Sequence, residues 1–120
     1  MENVAYLEID DFDSDGNLKQ YVGRGKNVVI MGQATFCGYC KQAASAFETF
    51  AKSHPNVVAA AIVSDGEESE KAAGKLFKKW DAKHRGVPSY FGFDSNGKYK
   101  GVHGGGRDVT SLKKFADTLS

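Results

Sequence analysis

Residues 27–53 read NVVIMGQATFCGYCKQAASAFETFAKS, and their pattern changes once, at the two cysteines of the chain, Cys37 and Cys40. Before that point NVVIMGQA is a continuous apolar run with β-branched residues, as expected of a strand buried on both faces. After it, Cys40, Ala43, Ala44, Phe47, Phe50 and Ala51 share one helical face, while Lys41, Gln42, Ser45, Glu48 and Lys52 share the other. Pro55 stops the helix. The pair is therefore expected where a buried strand turns into a helix.

The pattern continues outward from this junction. VVAAAIV (57–63) reads as a second buried strand, so strand, helix and strand form a right-handed crossover with a parallel pair. VAYLEI alternates as a first strand, and DSDGNLKQYV is expected to hold a short helix closed by GRGKN. One helix is expected from about Glu67 to Lys83, with Ala73, Leu76, Phe77 and Trp80 on its core face. Its acidic start and basic end suit the helix dipole. PSYFGF and KYKGVH flank DSNG as a hairpin. A last helix from about Asp108 buries Val109, Leu112, Phe115, Ala116 and Leu119. FDSDGN (12–17) and FDSNGK (93–98) look alike and imply shared turn chemistry. The expected architecture is α/β: a single domain over 1–120, with a mixed sheet of four to five strands and helices on both faces.

Lys and Arg number 16 and Asp and Glu 15, a net charge of +1. No basic stripe is present to hold a nucleic-acid backbone. The longest apolar run is too short to span a bilayer, and MENVAYLEIDD has neither the basic nor the apolar region of a secretory signal. These features lead us to expect a soluble, cytoplasmic monomer with no membrane or nucleic-acid partner. In a reducing compartment two cysteines are more often catalytic or metal-binding than a static staple.

Three readings of the pair compete. A structural zinc site needs about four ligands; there is no second CxxC, and His54, His84 and His103 lack metal-ligand spacing, so no metal site is expected. Two inert core thiols are common, but not at a strand-to-helix junction. A redox pair fits the place. The first N–H groups of a helix have no partner within it, and a thiolate at the N-cap accepts from them, which lowers its pKa below the free value of about 8.5. Cys37 is expected exposed and nucleophilic, with the N–H groups of residues 39 and 40 aimed at its sulfur. Cys40, one turn on, is expected buried and resolving. Asp11, Asp13, Asp15 and Gly16 imitate a calcium loop, but Val22 stands where its Glu belongs, and a solvated turn is the expected reading. His84 and Arg85 are expected in a solvated loop, and His54 at a helix end.

The order of elements, the FCGYC junction and GVPSYFGF together resemble the thioredoxin superfamily over nearly the whole chain. The resemblance implies a thiol–disulfide oxidoreductase that reduces or exchanges protein disulfides. Its only redox group would be the Cys37–Cys40 disulfide, with no other cofactor, and a reductase protein or glutathione would supply electrons. It implies a cis Pro88 facing the pair, main-chain hydrogen bonds from Val87 to an extended substrate, and an approach for substrate over Gly104. Phe36 stands where thioredoxins usually carry tryptophan, and Gly38 and Tyr39 replace the usual Gly-Pro. Phe36, Gly38, Tyr39, Val87, Pro88 and Gly104 are thus the expected substrate-binding residues. Met31 occupies the place of the buried Asp with which that family accepts the second proton. Gly104, Gly105 and Asp108 match a glutathione-binding pattern of glutaredoxins, or else a glycine loop ending in an N-cap. The alternatives are a glutaredoxin-like enzyme using glutathione and a binding module that docks partners through Phe36, Tyr39 and Val87.

Overall fold

A computed structural model describes residues 1–120. Five strands form one mixed sheet: β1 (Ala5–Tyr6), β2 (Asn27–Gln33), β3 (Val57–Val63), β4 (Ser89–Phe93) and β5 (Tyr99–Val102). Their order is β1-β3-β2-β4-β5. β2 runs parallel to β3, with Met31 opposite Ala61, and antiparallel to β4, with Met31 opposite Tyr90. The hairpin of β4 and β5 forms as expected, with a bulge at Gly92 and Phe93.

β2 lies at the centre, so it is covered on both faces, and Val28, Val29, Ile30 and Met31 are all fully buried. Alternation along a strand sends Val29 and Met31 to one core and Val28 and Ile30 to the other. The first core is closed by α2 (Gly38–Ser53) and α5 (Val109–Asp117). The second is an aromatic cluster in which Phe77, Trp80, Phe91 and Phe93 pack at ring distances of 5.0–6.1 Å. Offset and tilted pairs of this kind contribute about 0.5–1.5 kcal/mol each beyond their buried area.

Two elements differ from expectation. The single helix expected over 67–83 is two, α3 (Glu68–Gly74) and α4 (Leu76–Trp80). Gly74 packs so closely on Ser64 that a Cβ there would lie 3.1 Å from the Ser64 Cβ. Glycine also weakens a helix by about 1 kcal/mol relative to Ala. The Lys75 N–H divides between the Lys71 and Ala72 carbonyls, 3.3 Å from each. Asp81 is extended, which ends α4 ahead of the expected Lys83. The first strand shrinks to Ala5–Tyr6, because the Glu8 N–H turns back to the Asp11 carboxylate at 2.9 Å and starts a 3-10 turn over Ile9–Asp11. The expected short first helix forms as α1, over Gln20–Gly23.

DSDGN ahead of α1 forms the expected turn. Asp13 Oδ1 accepts the N–H groups of Asp15 and Asn17, both at 2.9 Å. Asp94 does the same for Asn96 and Lys98 at 2.9 and 3.0 Å. Gly16 and Gly97 both sit at φ +80°, where glycine carries no Cβ penalty. The two turns also bond to each other: the Leu18 N–H donates to the Gly97 carbonyl and the Tyr99 N–H to Asn17 Oδ1.

Gly32 tests how tightly this frame is built. A Cβ there would lie 2.7 Å from Phe77 Cζ and 3.2 Å from Ser89 Oγ. Gly32→Ala should therefore destabilise by about 1–3 kcal/mol through overpacking. Urea denaturation should show this as a lower midpoint at an unchanged slope; an unaltered midpoint would mean that the aromatic cluster yields freely.

Candidate functional site

α2 starts at Gly38, and Cys37 is its N-cap, extended at φ −86° and ψ 108°. Cys37 and Cys40 are joined as a disulfide with Cα atoms 5.2 Å apart. The Cys40 N–H donates to Cys37 Sγ at 3.0 Å. This satisfies one of the orphan donors of the helix start. The Tyr39 N–H makes no such bond, which corrects the expectation of two donors. The helix presents its third N–H to the cap, and a proline at 39 would remove no bond that is present here.

Exposure follows the expected order but not the expected amount. Cys37 is 8% exposed and Cys40 1%. Cys37 is kept low because its Sγ lies 3.5 Å from the Val87 carbonyl oxygen. The aromatic residues beside it stand out instead, Phe36 at 81% and Tyr39 at 66%. The Val87–Pro88 peptide bond is cis, and Val87 packs against both cores. The pairing continues one residue past β5, with the His103 N–H donated to the carbonyl of Tyr90 on β4 at 2.9 Å. Gly104 follows at once, and a side chain there, as at Gly38, would meet nothing within 4 Å. The structure thus brings Phe36, Cys37, Gly38, Tyr39, Cys40 and Val87 to one end of the sheet.

Beneath the pair the surroundings are apolar. Met31, Cys37, Cys40, Ala43, Phe47 and Tyr90 belong to one buried cluster. No charged or strongly polar residue is buried in the chain. The Tyr90 hydroxyl is buried without a hydrogen-bond partner, and burial raises its pKa, with Arg107 opposing.

Several participants were not singled out in the sequence. Thr35 donates its N–H to Asp65 Oδ1 at 2.9 Å and its hydroxyl to Asp65 Oδ2. This clamp ties the loop before Cys37 to the turn after β3. The Thr35 bonds hold the Asp65 carboxyl below its ordinary value of 3.8. Arg107 lies with its guanidinium carbon 5.7 Å from the centre of the Tyr39 ring, within cation–π range. Only the SDG turn after β3 hinted at Asp65, and nothing marked Arg107. Asp108 caps α5, its two oxygens accepting from the Ser111 N–H and hydroxyl. His54 closes α2, as expected. His84 does not lie free in solvent: its ring packs on Phe77 at 5.3 Å and on Phe91 at 6.1 Å. Burial lowers its pKa, with Lys78 adding and Asp81 opposing.

A mixed five-stranded sheet with helices on both faces, and a disulfide-capable pair at the start of the helix that follows its central strand, define the thioredoxin class of fold. Comparison with known proteins agrees. A family model described as a thioredoxin-like domain matches residues 14–119, and the chain belongs to that family. It is 38% identical over 100 residues to the thioredoxin-like protein 453L of invertebrate iridescent virus 6, covering 72% of each chain. It is 29% identical over 106 residues to the protein disulfide-isomerase erp38 of Neurospora crassa, of which it spans 27%. Among solved structures, thioredoxin f from spinach chloroplast (short form) superposes with a TM-score of 0.69 at 22% identity, over 97% of this chain and 92% of that one. The Trx4 domain of ERdj5 gives 0.70 at 18% identity, over 98% and 96%. Fold and cysteine pair together support thiol–disulfide redox chemistry.

The Asp65 clamp has a pH signature. Its carboxyl lies lower folded than unfolded, so its stabilising contribution is present above pH 3.8 and is lost as pH falls through the lower folded value. Asp65→Asn should flatten the acid limb of the stability curve measured by denaturant titration. Hydrogen exchange should also rise at residues 34–37. An acid limb identical to that of the parent chain would show that the clamp does not couple to folding.

Proposed function

We propose that this chain is a thiol–disulfide oxidoreductase that reduces or exchanges protein disulfides, with Cys37 as nucleophile and Cys40 as resolving residue. The observation that carries the reading is the Cys37 sulfur at the α2 N-cap, accepting the Cys40 N–H. An N–H donor and the positive end of a helix favour the thiolate over the thiol. In the reduced chain the Cys37 thiolate attacks one sulfur of a substrate disulfide. That S–S bond breaks, the other sulfur leaves with the electron pair and is protonated, and a mixed disulfide remains. The Cys40 thiolate then attacks Cys37 Sγ, releases the second substrate thiolate, and closes the Cys37–Cys40 disulfide. Two electrons pass to the substrate, and a reductase protein or glutathione restores the pair. No bound cofactor enters this cycle.

Phe36 and Tyr39 supply an exposed aromatic rim for the partner. The main chain of Val87, beside the sulfur, would pair with an extended substrate segment, and Pro88 and Gly104 would border it. The engagement of Asp108 as a helix cap supports protein disulfides over a glutaredoxin-like use of glutathione. The second reading, a docking module of little turnover, rests on the exposure of the same Phe36 and Tyr39.

Insulin reduction driven by dithiothreitol separates the two readings. The parent chain should catalyse it, and Cys37→Ser should fall to the uncatalysed rate. Partner binding that persists without either cysteine, together with no catalysis, would favour the docking module.

Cys40→Ser should retain attack but not resolution, and mass spectrometry should show mixed disulfides on Cys37. Alkylation of reduced Cys37 should titrate below the free-thiol value of about 8.5. Adducts on Cys40 in Cys37→Ser would reverse the assignment of roles.

A further inference from the structure

Resolution by Cys40, on which this inference rests, requires a buried thiol to lose its proton. The interior offers it no base. Met31 is fully buried in the same cluster, and the chain buries no carboxylate, imidazole or ammonium. The Tyr90 hydroxyl has no hydrogen-bond partner, so it is not bonded to Cys40, and a phenol is itself protonated at neutral pH. One side of Cys40 is different. A cleft of about 410 Å³ lies beside α2, lined by Tyr6, Gln33, Thr35, Cys40, Lys41 and Ala44 among others. It is open to solvent and borders Cys40, which is itself only 1% exposed. The Gln33 side chain makes no hydrogen bond within the protein, and Ala44 lies one turn beyond Cys40 on the same helix.

We propose that this cleft is the proton exit of Cys40: water seated between Gln33 and Cys40 Sγ takes the proton to solvent, with Gln33 as a positioning residue and the small Ala44 side chain keeping the way open. The cleft is large enough for water; its lining is mostly apolar, with Gln33, Thr35 and Lys41 as the polar members, and Gln33 gives the water a partner. The step balances. Cys40–SH gives its proton to water, and the Cys40 thiolate attacks Cys37 Sγ in the mixed disulfide. The bond from Cys37 to substrate sulfur breaks, that sulfur leaves with the electron pair and takes a proton from solvent, and the Cys37–Cys40 bond forms. The titratable groups facing Cys40 are Lys41 on its own helix, Tyr6 across the cleft on β1, Tyr90 on β4, and Asp65 behind Thr35. Asp65 is committed to the two Thr35 donors.

Dithionitrobenzoate separates the two steps, because reduced protein releases one thionitrobenzoate on attack by Cys37 and a second on resolution by Cys40. Stopped-flow absorbance on the full chain reads both. Ala44→Leu keeps helix propensity and fills the cleft, so it should slow the second release about tenfold and leave the first unchanged, a modest share of what positioned proton transfer contributes. Gln33→Leu should act in the same direction, while Ala44→Ser should match the parent. Imidazole in the buffer should accelerate the second release in the parent chain and in Ala44→Ser, but not in Ala44→Leu. The imidazole arm needs no variant, and a second release insensitive to imidazole in the parent overturns the proposal. So do equal second phases in the parent and a natively folded Ala44→Leu. A loss in Lys41→Met as large as in Ala44→Leu would give the proton to the Lys41 amine and also overturn it. A parent chain that releases only one thionitrobenzoate fails the dithiol reading itself, a distinct result.

Discussion

One hydrogen bond, from the Cys40 N–H to Cys37 Sγ, joins the fold to its chemistry. It exists because α2 begins at Gly38, and α2 begins there because β2 has just delivered the chain to the end of the sheet. An N-cap contact stabilises a helix by about 0.5–2 kcal/mol when the cap is Ser, Thr, Asp or Asn. Here a sulfur takes that place, so the start of the helix and the electronic state of the sulfur are set together. The Thr35–Asp65 clamp holds the approach to this point from one side, and the Val87 carbonyl oxygen meets the sulfur from the other.

β2 can hold this position because both of its neighbours and both of its faces are occupied. The two faces are built differently. The α2 and α5 side is mixed aliphatic and aromatic and contains the cysteines, whereas the other is an aromatic cluster around Trp80. The Trp80 indole N–H donates to the Gly16 carbonyl at 3.0 Å, which anchors the first DSDGN turn to that cluster. The second turn bonds to the first. A similarity of six residues, repeated at the far end of the chain, thus becomes a physical joint between the N-terminal segment and the hairpin.

The apolar bed under the pair has a chemical consequence. A buried carboxylate is costly to ionise and does its work as a proton acceptor by being held there. With Met31 in the interior, the pair loses that internal base and gains packing. In the proposed cycle the proton of Cys40 leaves by the cleft beside Gln33 and Ala44.

Much of this was legible in the sequence for local reasons. Strand β2, helix α2, strand β3, the hairpin and α5 follow from hydrophobic period and turn residues, which act over a few neighbours. The junction at Cys37 is one such local change of period. The break between α3 and α4 was not legible, because it comes from the contact of Gly74 with Ser64, which is made only once β3 and α3 are packed. The clamp of Thr35 by Asp65, 30 residues apart, and the seat of Arg107 over Tyr39 are likewise products of the folded chain. So is the low exposure of Cys37, which depends on where the Val87 loop comes to rest. The sequence by itself determined β2, α2, β3, the hairpin and α5, the pair and the missing acid, since these reside in residue identity and short-range order. Tertiary structure alone decided which N–H reaches the sulfur, what pins its loop and which side of Cys40 borders the cleft, because each of these depends on segments that the chain brings together only on folding.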